Sequence, residues 1–426
     1  MKTSSILSKI NSLKDDIVSL ATELISIPST TGQEGKLARY VAELFSKWGL
    51  EVETFDINPE LLAKQYPKEF YRYNFPYEGR PNVLGKLSGL GGGRSLMINF
   101  HLDVVNADPA VWKVDPWKGT VQDGVLYGRG AADMKGGMAS ALFAVKCILD
   151  AKVHLKGDLI LAGVIEEEGP GNGTLALQAR GITADGCIIP EPTGLSMCLG
   201  LTGGVYGFIS VTGRSAHSTT PWLGVNALEK ACLVVRGIEA YRNKRRNIAV
   251  DSLFANVPEI PAGSSVINMM RTDGANIGRI PFSVQIRTRA TVMPGENPYQ
   301  VAQDMEKTIL NIALQDPWFV DHPPTFVWEV RGGRSYPAKI PSDHPLSRTL
   351  AESFREVTGK DPEIRGFISP ADMQHLLNIK PTTPTLMFGP GSIYAAHTDH
   401  EGVSIDEMTT ASAVIASLIL RWCGVA

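Results

Sequence analysis

The sequence predicts an α/β protein in which a mostly parallel sheet is covered by helices and a smaller α+β domain is inserted. Three observations carry that prediction. The chain has 426 residues, beyond the roughly 250–300 at which one hydrophobic core divides. Short apolar runs alternate with helical patterns as far as residue 200, the order that builds parallel sheets. From residue 204 the texture shifts to longer strands and two long helices, and it shifts back near the proline-rich stretch 321–325. The expected domains are therefore 1–203 with 321–426, and 204–320.

The first element is an amphipathic helix reaching residue 27, because Ile6, Ile10, Leu13, Ile17, Leu20 and Leu24 recur at helical spacing. A helix over 35–48 leads into a strand at 51–55. Residues 94–100 and 158–165 are short apolar runs bounded by turn formers or charges, which marks buried strands. A helix at 134–149, entered through Gly136 and Gly137, separates them. Another strand follows at 186–189. In the inserted domain, 205–212 reads as an edge strand, 225–241 as a helix, 281–291 as an alternating strand and 301–314 as a helix. The remainder, from 381, has the form of strand, glycine loop and final helix.

Composition narrows the function. Hydrophobic residues at 43% and charged residues at 20% are ordinary for a folded domain. A net charge of −3 offers no basic excess for nucleic acid or an anionic membrane. The basic cluster 242–246 fits a solvated helix face. The N-terminus lacks the unbroken apolar core of a signal peptide, and the apolar run 411–422 is too short to span a bilayer. Five cysteines, an odd number with no CxxC pair, fit buried reduced thiols rather than a disulfide framework. A cytoplasmic protein acting on a small molecule is expected.

The chemistry-bearing residues stand just after strand ends, where open α/β sheets form their ligand sites. His101-Leu102-Asp103 follows the strand ending at Phe100; a carboxylate so placed can fix the tautomer of a metal-bound imidazole. Asp133 lies in a glycine-dense loop opening a helix, a position that also suits an ordinary N-cap. Glu166, Glu167 and Glu168 leave the next strand together and repel one another unless solvated, protonated or neutralised. Gly169–Thr174 matches no phosphate-binding pattern. Glu191 is held between two prolines, and His397 follows a Gly-Pro-Gly turn. No nucleophile elbow or cysteine nucleophile is present. Two histidines and three carboxylates without a cysteine suit zinc, with cobalt or manganese as substitutes. One bridging Asp would make a two-metal site, leaving a spare glutamate as base.

The sequence resembles the zinc-dependent exopeptidase and deacylase family of acetylornithine deacetylase, succinyl-diaminopimelate desuccinylase, aminoacylase and carboxypeptidase G. The resemblance covers nearly the whole chain. It rests on HLD at 101–103, GRGAADMKGG at 128–137, EEEGPGNGT at 166–174, PEPTG at 190–194 and AHTDHEG at 396–402. It implies two Zn²⁺ per subunit, one on His101 and Glu191, the other on Glu168 and His397, with Asp133 bridging. Asp103 would orient His101, and Glu167 would be the general base acting on a water between the metals. A register one residue away in the glutamate triplet is open, because Glu166 stands where the family commonly has Asp. The resemblance also implies a cis bond between Asp133 and Met134.

The inserted domain resembles the family's lid and dimerisation domain, through Gly213-Arg214-Ser215-Ala216-His217-Ser218 and Gly224-Val225-Asn226-Ala227. It implies a homodimer in which His217 reaches across and donates to the oxyanion. Arg289 is the candidate for a substrate carboxylate, with Arg287 as its rival. After Asp372, where many relatives carry an Arg, Met373, Gln374 and His375 follow, which speaks against strict succinyl-diaminopimelate specificity. The aromatic segment 57–81 either walls the pocket or packs on the surface. The expected activity is acetylornithine deacetylase-like hydrolysis of N-acyl amino acids or amines. A metallo-carboxypeptidase or dipeptidase is the alternative, and a non-catalytic scaffold the remote one.

Overall fold

A computed structural model describes residues 2–246, 251–255, 264–272 and 278–426. The chain forms two compact units: Met1–Gly200 with Lys339–Phe367 and Ala371–Ala426, and Leu201–Ala338 with Ile368–Pro370.

In the first unit, strands β1 (Glu51–Phe55), β2 (Asn82–Leu87) and β3 (Leu96–His101) precede a small hairpin, β4 (Thr120–Gln122) and β5 (Val125–Tyr127). Then come β6 (Leu159–Val164), β7 (Gly186–Ile189) and β8 (Met197–Leu201). The second unit supplies β9 (Gly203–Thr212), β10 (Ser265–Thr272), β11 (Ser283–Val292) and β12 (Thr325–Val330). The chain ends with β13 (Ala338–Lys339), β14 (Ile364–Phe367), β15 (Thr385–Met387) and β16 (Gly402–Ser404).

The large sheet runs β1-β2-β6-β3-β7-β15-β8, with β13 and β14 at the β8 edge. Its centre, β6-β3-β7-β15, is parallel. Parallel strands are covered on both faces and so need near-continuous apolar runs; every residue of β3 is buried. The helices Gly136–Asp150 and Ile405–Cys423 are apolar almost all round, as helices inside a fold must be. Register then fixes the site. His101 pairs with Val164, Ile98 with Ile188, and Met387 with Ile189, so the carboxyl ends of all four central strands share one edge.

Three sequence expectations change. The first helix is two, Lys2–Ser12 and Lys14–Ile25, broken where Leu13 leaves helical geometry (φ −112°, ψ 40°). The stretch read as an edge strand is β9, which lies between β11 and β12 in the antiparallel order β10-β11-β9-β12. The chain does not return to the first unit at 321. The prolines there turn the helix Pro317–Asp321 into β12, which pairs with β9 and keeps residues up to Ala338 in the second unit. Under this small sheet, Val205, Ile209, Val234, Ile238, Met305 and Ile309 form a buried core with the helices Ala227–Arg246 and Pro298–Ala313.

Candidate metal centre

Each central strand delivers its acidic or imidazole group where the chain leaves the sheet. His101 is the last residue of β3, the glutamate triplet begins two residues after β6, Glu191 two after β7, and His397 lies in the loop after β15. Asp133 comes from the turn Ala131–Lys135 that opens the helix Gly136–Asp150, and its bond to Met134 is cis. Asp133 Oδ1 stands 3.0 Å from His101 Nε2, and Oδ2 stands 3.4 Å from His397 Nε2. Glu168 Oε1 is 2.9 Å from the same His397 nitrogen. One carboxylate therefore faces two imidazoles from different strands, one through each oxygen. His400, one turn away, is exposed and pairs with Asp399.

The first and third of the adjacent glutamates point to different partners. Glu166 adopts a left-handed backbone (φ 63°), and its carboxylate turns into the protein to meet Arg80 at 3.0 Å. Glu168 reaches His397, and Glu167 is buried between them in sequence, 6% exposed. Asp103 holds this turn from below: its carboxylate accepts from Glu167 N–H (2.9 Å), Glu168 N–H (3.0 Å) and the Thr31 hydroxyl (2.9 Å). The expected contact of that carboxylate with His101 is long, 3.8 Å to Nδ1. The main-chain oxygen of Asp103 takes the Nδ1 bond instead, at 2.7 Å, which places the ring proton on Nδ1 and leaves Nε2 as a donor atom for a cation.

Charge balance shows what the cluster favours. Burial opposes a charged imidazole at His101, yet Asp133, with Glu191 and Glu167 beyond it, pushes its pKa well up. Bonds to Asp133 and Glu168 raise His397 to about 10. Burial would raise Asp133, but the two imidazoles hold it well below the usual carboxylate range. Burial and the Asp133 charge push Glu191 well up and Glu168 upward. Buried carboxylates thus outnumber the groups that neutralise them, the environment a divalent cation relieves. The donor atoms of His101, Asp133 and Glu168 all lie within 4.8 Å of one another. Two ligands about 2.0–2.1 Å from a tetrahedral zinc stand roughly 3.3 Å apart, close to the 3.0 and 3.4 Å separations around Asp133. The residues fit the group.

Several supporting residues had no role assigned from the sequence, although Glu401 fits the resembled family's spacing after His397. Glu401 Oε1 accepts from both Ala132 N–H and Asp133 N–H at 3.0 Å, while its other oxygen pairs with Arg129. Burial raises the Glu401 carboxyl to about 7 against the pull of Arg129. Lys135, fully buried, ties the same turn to the carbonyls of Leu24 and Ile27 at 2.9 Å each. Arg80 and Asn82 hold the glutamate loop. The signal for Glu401, Arg129 and Lys135 was present as motif neighbours of the ligands, but a polar residue beside a motif says nothing of its direction; Arg80 and Asn82 lie outside every motif.

In the second unit, His217 is exposed. Its Nδ1 meets the Thr219 hydroxyl at 2.8 Å and the Thr219 N–H at 3.2 Å, and its Nε2 is the outward nitrogen. Arg289 lies against Gly204, its Nη1 3.4 Å from the Thr291 hydroxyl and its guanidinium 5.9 Å from the Tyr206 ring. Arg287 flanks Tyr206 and Phe208.

A family model described as Peptidase family M20/M25/M40 matches residues 97–421. The N-formyl-4-amino-5-aminomethyl-2-methylpyrimidine deformylase of Bacillus subtilis (strain 168) is 29% identical, over 98% of this chain and 97% of that protein. The acetylornithine deacetylase of Vibrio campbellii is 27% identical, over 96% and 97%. Among solved structures, human carnosine dipeptidase 1 shares the fold with a TM-score of 0.73 at 18% identity, over 99% of each chain.

Proposed function

The chain belongs to peptidase family M20/M25/M40, and from that premise we propose that it is a two-metal deacylase removing a small acyl group from an amine. One observation carries the reading: Asp133 offers one oxygen to His101 and the other to His397. His101 and Glu191 would hold one zinc, Glu168 and His397 the second, and Asp133 both. Two such cations supply Lewis acidity that polarises the scissile carbonyl and acidifies a water. Glu167 takes the proton from the attacking water and returns it to the nitrogen as the C–N bond breaks. Asp103 fixes that base by holding the backbone N–H groups of Glu167 and Glu168. His217 donates through its Nε2–H to the carbonyl oxygen as charge builds there. Arg289 is the proposed partner of a substrate carboxylate.

Relatives spread over a deformylase and a deacetylase favour N-acyl amines over peptides. We propose a homodimer through the second unit, whose edge strand β10 exposes Val266, Met269 and Met270. A cytoplasmic location is supported by cysteines that are all free thiols. Among the described residues no helix is long and apolar enough to cross a membrane. The test is a substrate panel with metal analysis of the same preparation: the formylated aminomethylpyrimidine, N-acetylornithine, other N-acetyl amino acids, N-succinyl-diaminopimelate and dipeptides. Turnover of an N-acyl amine, lost on chelation and restored by zinc or cobalt, is expected. Faster dipeptide cleavage would make it a peptidase, and activity surviving exhaustive chelation would end the two-metal reading.

A further inference from the structure

Beside the metal centre lies a buried ionic network that the reaction as described does not use. Arg80 donates Nε to Glu34 Oε2 (2.6 Å) and Nη2 to Glu34 Oε1 (2.9 Å). The same Nη2 reaches Glu166 Oε1 at 3.0 Å, and Nη1 reaches the Pro76 carbonyl at 2.8 Å. All three charged side chains are sequestered: Arg80 is 6% exposed, Glu34 and Glu166 0%. The second Glu166 oxygen accepts from the Tyr77 hydroxyl (3.1 Å) and from Asn172 Nδ2 (3.3 Å). Asn172 Nδ2 also meets the Tyr77 hydroxyl and the Arg72 carbonyl, each at 2.6 Å. Two residues after Arg80, Asn82 closes the base of the glutamate loop. Its Nδ2 donates to the Gly173 carbonyl (2.8 Å), and its Oδ1 accepts from Ile165 N–H (3.1 Å).

We propose that Arg80, acting through Glu166, is a positioning residue that sets where the Glu167 carboxylate stands. The coupling is mechanical. Glu166 is the pivot of the turn: its backbone is left-handed, and its carbonyl accepts from Gly169 and Gly171 N–H at 3.2 and 2.8 Å. A residue with a side chain holds φ near +60° only where its surroundings enforce it, and here the enforcement is a carboxylate drawn inward to a guanidinium. With Glu166 drawn inward and Asp103 holding the N–H groups of Glu167 and Glu168, the backbone that carries the Glu167 carboxylate is held at the residues before and after it. Within the aromatic segment 57–81, Arg72, Tyr77 and Arg80 are thereby tied to Glu166 and Asn172 of the glutamate loop.

The inference rests on Glu167 being the base, and the experiment separates the two. In metal-loaded enzyme, Glu167→Ala is compared with Tyr77→Phe, Glu166→Gln, Glu166→Ala and Arg80→Lys, measuring kcat, KM, metal content and Tm. A displacement of about 1 Å can cost on the order of 10²-fold in rate. Glu166→Ala is therefore expected to lower kcat about 10- to 100-fold with KM within about 3-fold and metal retained. Glu166→Gln, which keeps shape and acceptors, recovers part of that loss, and Tyr77→Phe lowers kcat a few-fold. Arg80→Lys keeps the charge but not the fork, and falls between them. If Arg80→Lys does not fold, the Tyr77 and Glu166 variants decide. Wild-type kcat per bound metal across folded variants, with only Tm lowered, overturns the positioning role while leaving Glu167 as base. Full turnover by Glu167→Ala overturns the underlying reading instead.

Discussion

Glu167 and Glu168 are neighbours with the same side chain, and what separates them is which group each can touch. Glu168 has His397 at 2.9 Å, whereas Glu167 is buried with its N–H tied to Asp103. Glu167→Gln should therefore abolish turnover and leave metal content near wild type, read by activity and metal analysis together. Loss of metal would mean that Glu167 is a ligand and the register slips by one. His217→Ala should lower kcat by about 10²–10³, the loss typical of removing an oxyanion donor. Mixing it with the Glu167 variant should restore part of the activity if the imidazole serves the other subunit. An unmixed, unchanged kcat would remove His217 from the mechanism.

At the level of elements, the strand ends were legible because apolar runs end where charge begins, and β3, β6 and β7 all fall within two residues of expectation. The donor residues were legible for the same reason: a His or Glu directly after a buried strand has few structural uses. The holding groups were not. Arg80, Asn82 and Glu401 act through long-range hydrogen bonds, which leave no periodicity in sequence. Nor was β12 placed from sequence, although TFVWEV is rich in β-branched and aromatic residues; its pairing with β9 is a long-range contact. One element contact is sharp enough to test. A Cβ on Gly137 would run into the Pro190 carbonyl oxygen, so the helix behind Asp133 packs directly on the strand end bearing Glu191. Gly137→Ala should cost about 1–3 kcal/mol by overpacking and weaken metal retention, seen as a lower Tm and faster loss to a chelator. Unchanged values for both would show that the helix can shift freely.

For the molecule as a whole, the proposed ligands His101, Asp133, Glu168, Glu191 and His397 all belong to the first unit, while His217 and Arg289 belong to the second. A cation bound at 100 times its dissociation constant stabilises the state that holds it by about 2.7 kcal/mol. Calorimetry with and without chelator should therefore move the melting of the first unit downward and leave any separate transition of the second in place. A profile indifferent to chelator would argue against bound metal. The same partition has a consequence over evolutionary time. Under the proposed roles the metal ligands and the candidate substrate contact Arg289 lie in different stretches of the chain, an arrangement that would let residues 201–338 diverge toward a new acyl compound while the proposed ligand set is inherited unchanged.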